Sequence, residues 1–151
     1  MEKKVLKLKT VIGGFFLFFL SSCTTYLIPV DSFKEQFAGI DSASLKQVKV
    51  RGPVGEIYNY PANSITTIHC VDKQGNPHVL ANKPSIEIRF THGQNNKKTI
   101  FYFDRVYLSD GFIIGAQSRF ISSMMGSIPL NQVTKIEVQD GKKKFRYDSV
   151  D

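Results

Sequence analysis

From Leu45 onward the apolar residues recur at every second position, and turn signals interrupt them repeatedly. On a pleated strand this alternation sends one side chain inward and the next outward, so it restricts the chain to β structure. Residues 85–92 alternate cleanly, with Ile86, Ile88 and Phe90 on one face and Glu87, Arg89 and Thr91 on the other. Residues 45–50, 55–60 and 64–72 read as further strands, ended by Arg51-Gly52-Pro53, Pro61-Ala62-Asn63 and Lys73-Gln74-Gly75-Asn76-Pro77.

The alternation slips once within residues 99–108. Phe101 and Phe103 share one parity, and Val106 and Leu108 share the other. A continuous strand would turn half its apolar set to the wrong face, so a bulge or a break is expected at Asp104-Arg105. Ser109-Asp110-Gly111 suits a three-residue hairpin loop with Gly111 left-handed, and residues 112–115 return. Residues 117–127 are the least strand-like part. Gln139-Asp140-Gly141-Lys142 reads as a second hairpin, returning through Phe145 and Tyr147.

Only residues 31–39 carry a helical signature. Ser32 and Glu35 have the spacing of a capping box, Phe33 and Phe37 share one face, and Gly39 can close the helix. The phenylalanines are expected against a sheet rather than a membrane. The fold class is therefore all-β, mostly antiparallel: a small SH3-like barrel or sandwich with one short N-terminal helix. Residues 99–147 carry Val106-Tyr107-Leu108, Gly111-Phe112-Ile113-Ile114-Gly115 and Ile128-Pro129-Leu130, followed by residues 131–138. This strand–hairpin–turn–strand pattern resembles small SH3-like barrels and small uncharacterised bacterial lipoproteins, and it implies no activity.

The N-terminus has a different character. Lys3, Lys4, Lys7 and Lys9 precede an apolar run around Phe15-Phe16-Leu17-Phe18-Phe19, which ends in Leu20-Ser21-Ser22-Cys23. The apolar run falls short of the roughly 20 residues that a membrane-spanning helix needs. A basic start and a short apolar centre describe an export signal. The whole arrangement resembles a bacterial lipoprotein signal peptide with its lipobox. That resemblance implies cleavage before Cys23, lipidation of Cys23, and a membrane-held protein. Thr24 in place of an aspartate implies the outer membrane, with the domain facing the periplasm. The expected organisation is a signal peptide over 1–22, a tether over 23–30 and a single β-rich domain over 31–151.

The formal charge of +7 overstates the basicity, because residues 1–22 hold four lysines and one glutamate and leave +4 on the remainder. So mild a balance gives no case for nucleic acid. With Cys23 lipidated, Cys70 has no partner for an internal disulfide and reads as a small buried residue in an apolar run.

Residues for catalysis do not fall into a pattern. His69 and Cys70 are adjacent and point to opposite faces, so a thiol nucleophile would need His78 or His92. The spacings of these histidines match no metal site, and no G-x-S-x-G run or phosphate-cradling glycine loop is present. Glu87, Asp104 and Glu137 read as strand carboxylates without identifiable mates. No catalysis and no cofactor are expected.

Two features bear on binding. Phe120, Ile121, Met124 and Met125 lie among serines and a glycine. They either close one end of the barrel or form an adaptable contact with a partner or lipid. Lys97-Lys98, Lys142-Lys143-Lys144 and Arg146 read first as solvated turn charges that guard edge strands, and otherwise as contacts to anionic lipid. The functional expectation is a lipid-anchored, non-catalytic binding or assembly module that meets a protein partner in the cell envelope. The alternatives are a carrier of a small apolar or lipid ligand, and an enzyme whose site is assembled from distant residues.

Overall fold

In the computed structural model, which describes residues 24–148, the chain is mostly antiparallel β with a single short α-helix among the described residues. The strands are β1 (Thr25–Leu27), β2 (Lys46–Arg51), β3 (Ile57–Ala62), β4 (Thr67–Val71), β5 (Pro77–Ala81) and β6 (Ile86–His92). They continue with β7 (Lys97–Tyr102), β8 (Tyr107–Ser109), β9 (Phe112–Ala116), β10 (Met125–Pro129), β11 (Val133–Asp140) and β12 (Arg146–Tyr147). They form one six-stranded sheet in the order β5-β4-β1-β11-β6-β7 and two three-stranded sheets, β10-β9-β8 and β12-β2-β3.

The expected tether over 23–30 is corrected. Thr25–Leu27 is an inner strand of the large sheet, pairing with β11 through Thr25↔Gln139, Tyr26↔Val138 and Leu27↔Glu137. Its other edge meets β4 at Leu27↔Val71. Beyond it, the buried Ile28 donates its N–H to Ile136 O at 3.0 Å. The reason is backbone accounting: β4 and β11 are not hydrogen-bonded to each other, so β1 supplies the partners their facing edges need. Where β1 is too short to serve β4, a side chain substitutes. The Gln36 amide donates to His69 O at 3.0 Å and accepts from His69 N at 2.9 Å, as a strand neighbour would. Cys23 itself lies outside the described residues.

The helix α1 (Val30–Gln36) follows directly, and Phe33 and Phe37 share a face as expected. Their rings stack at 4.4 Å, and they meet Phe90 and Phe103, each at 5.4 Å. Both are buried in the main core with Ile68, Ile88, Phe101, Val106 and Val138. Each such side chain contributes about 1.5–3 kcal/mol by leaving water. The capping box at Ser32 and Glu35 does not form. Pro29 starts the helix, its carbonyl accepting from Phe33 N at 2.9 Å, which places Ser32 inside the first turn. A capping box does form further on, between Asp41 and Ser44.

The slip at Asp104-Arg105 is a break, as one of the two expectations had it: Phe103–Arg105 is a 3-10 turn between β7 and β8. The next hairpin is tighter than expected. Ser109 pairs with Phe112, so the loop is the two residues Asp110 and Gly111, both with positive φ (49° and 80°). That is the turn type that suits right-twisted strands. The hairpin expected at residues 139–142 is overturned. Gly141 N bonds Ser85 O at 3.0 Å, and the chain then leaves the large sheet to pair β12 with β2.

Phe101 joins two layers. In the β9–β10 hairpin Gly115 and Gly126 are register partners. A methyl group on either would lie within 3 Å of the Phe101 ring. The paired glycines thus make a backbone shelf on which the ring rests.

Candidate functional site

The break between β7 and β8 forms the base of the site. Asn63, the residue after β3, clamps it, donating through its side chain to Phe103 O (2.8 Å) and Val106 O (3.0 Å) and through its backbone to Asp104 O (2.7 Å). The clamp turns Asp104 inward, with a side chain sealed from solvent. A buried carboxylate needs compensation, and Arg119 provides it with an equally sealed side chain at 3.1 Å. Tyr60 (2.7 Å) and Tyr147 (3.0 Å) donate their hydroxyls to the other carboxylate oxygen, and Arg119 also donates to Tyr60 Oη. The Arg119 guanidinium lies 3.9 Å from the centre of the Tyr102 ring, a cation–π distance. Arg105 lies 4.8 Å from that of Tyr60 and reaches Ser118 O at 3.4 Å. Burial, then the neighbouring Asp104 charge, pushes both the Tyr60 and Tyr147 phenols well above their usual range, so both remain protonated donors.

Arg119 is nearly sealed, whereas the next residue, Phe120, is 67% exposed. Ser118 explains the change of direction, because its Oγ accepts from both Phe120 N and Ile121 N at 3.1 Å. The loop closes through Gln117 N to Met124 O (2.9 Å) and Met124 N to Ile121 O (3.1 Å). Ile121, Met124 and Met125 are exposed with Phe120. The reading in which these side chains close the barrel end is thereby corrected, since they point outward. Phe120 instead rests edge-on against Tyr58 at 5.6 Å and near Phe145 at 6.3 Å. The result is an apolar tip on an aromatic ledge, held from beneath by a buried ion pair. Such a site can make contacts, and among the described residues of the loop no nucleophile faces a base.

The other residues singled out from sequence lie elsewhere. Cys70 is buried, and it shares a strand face with its register partner His78, whose ring nitrogen stands 3.3 Å from Asp72. The thiol does not address that ring. It lies 3.6 Å from the His78 carbonyl, and burial raises its pKa, which keeps it as S–H. His69 is exposed on β4, and His92 is buried against Thr99 at 2.9 Å. Among the described residues no group of three or more His, Cys, Asp or Glu side chains could hold a metal. Glu87 pairs with Lys143 at 2.7 Å, and Glu137 with Lys135 at 3.0 Å and Arg89 at 3.6 Å. Asp104, read as a strand carboxylate, is a turn residue whose mate is Arg119.

Sequence reasoning found the tip and missed its root. Arg119 carries no periodic signal, because it sits in a loop. The one available signal was the parity slip, which marks Asp104 as a residue forced toward the core. Compared with known proteins, the chain matches no family model, and neither a curated protein nor a solved structure proved similar to it.

Proposed function

We propose that this chain is a cell-envelope protein anchored by lipid at Cys23. In this reading it is a non-catalytic binding or assembly module whose contact surface is the loop around Phe120, Ile121, Met124 and Met125. The observation that carries the reading is the step from the sealed Arg119 to the exposed Phe120. A buried ion pair is an uneconomical way to gain stability and a good way to fix one geometry. Here the geometry it fixes is the presentation of apolar side chains to an outside surface. The space between the sheets is filled by Phe33, Phe37, Phe90, Phe101 and Phe103, which favours a contact surface over an interior ligand carrier. Among the described residues no helix is long and apolar enough to cross a membrane, so attachment in this reading depends on Cys23. Placement at the outer membrane, facing the periplasm, follows from the Thr24 argument alone.

The test has two arms. Cys23→Ala should yield protein without acyl mass that leaves the detergent phase on phase separation; unchanged partition would defeat the anchor. Phe120→Ser with Ile121→Ser, in the anchored protein, should abolish cross-links from the loop to envelope components while the thermal midpoint holds. Cross-links that persist would show that the loop is not the contact surface.

A further inference from the structure

We propose that the surface which the Phe120 loop meets is an anionic lipid bilayer, so that the domain touches the membrane a second time, away from its N-terminus. This rests on the reading of the loop as a contact surface and names what it contacts.

Three features stand next to one another on the surface. Thr24, the residue after Cys23, lines a groove with Lys83, Asp140 and Lys142. From Lys142 the chain runs through Lys143 and Lys144 to Phe145, a reach of at most about 10 Å. Phe145 is one of the two rings beside Phe120, at 6.3 Å. The point of attachment, a lysine run and the apolar tip are therefore consecutive along one edge.

The charges at this edge favour anions. Lys143 is matched by Glu87 and Arg51 by Asp148. Lys83, Lys144 and Arg146 are exposed cations, against the half-buried Asp140 and the half-buried Glu56, whose carboxylate accepts from the Tyr58 hydroxyl at 3.2 Å. Lys144 and Arg146 flank Phe145 and, with Arg51, line the hollow beside it. Apolar side chains beside exposed cations suit the boundary between acyl chains and anionic headgroups. A protein partner would need a complementary concave face, whereas a bilayer accepts a small convex tip such as this loop.

The chain contains no tryptophan, so Phe120→Trp places a single reporter at the tip. Phe112→Trp serves as control: Phe112 is 43% exposed and lies at the far end of the β9–β10 hairpin, about 13 Å along the strand. The full chain is reconstituted in vesicles of brominated phosphatidylcholine with or without phosphatidylglycerol. With phosphatidylglycerol present, emission from the Phe120→Trp protein should shift to the blue and be quenched, and emission from the Phe112→Trp protein should do neither. Adding Lys144→Gln and Arg146→Gln to the tip reporter should lower the quenched fraction at least about threefold. Quenching of neither reporter, or of both equally, would overturn the proposal. So would a blue shift of the tip reporter that requires added envelope protein, since the occupant would then be protein. Mass spectrometry of the N-terminal peptide reads the Cys23 lipid in the same samples, so failure of the anchor and failure of the loop contact are separable.

Discussion

Arg119 and Asp104 meet at 3.1 Å with both side chains sealed from water, although one belongs to a loop and the other to a 3-10 turn. Removing one partner leaves the other charge buried alone. Asp104→Leu or Arg119→Met should each cost about 3–5 kcal/mol in denaturant unfolding. The pair Asp104→Leu with Arg119→Met should cost clearly less than the two single costs added, because no orphan charge remains. Strict additivity would mean that the two residues are not coupled.

The slip in alternation that marks Asp104 was visible in the sequence, and so were most strands, because apolar parity records which face is buried. Three of the features that were not legible escaped for separate reasons. β1 is only three residues long, too short to show a period, and the sheet's need for a strand at that place is a tertiary fact. The turn at Gly141 was readable as a turn, but its exit toward β2 depends on which edge stands open. Arg119 follows no period, and its burial is dictated by a carboxylate 15 positions earlier.

Phe101 rests on glycines that are partners across two strands. Gly115→Ala would drive a methyl into its Cγ, well inside van der Waals contact. Overpacking of this kind costs about 1–3 kcal/mol. Adding Phe101→Leu should recover part of the loss, since the smaller side chain vacates the space; a thermal melt of the single and double variants checks this.

Asn63 holds the break with two side-chain donors to backbone carbonyls. Asn63→Ala strands both buried acceptors and should cost about 1–3 kcal/mol. Amide exchange at residues 103–106 should accelerate more than in β6, and uniform acceleration would argue against a local clamp.

The Asp72 carboxyl is held down to about 2, first by the Asn76 side chain and backbone, against a reference of 3.8. The folded value is the lower one, so the unfolded chain takes up the proton first as pH falls. The stabilisation is therefore complete above the reference value and is lost between 3.8 and about 2. Asp72→Asn should flatten this part of the acid limb in pH-dependent unfolding, and carboxyl NMR should place the native titration near the lower figure.

β1 begins two residues after Cys23 and is hydrogen-bonded on both sides. A pull on that cysteine, passed along β1, would load its ladder with β11 in shear rather than open one bond at a time, with the single Leu27–Val71 pairing to β4 beside it. A chain held at this point would pass force into the middle of its largest sheet.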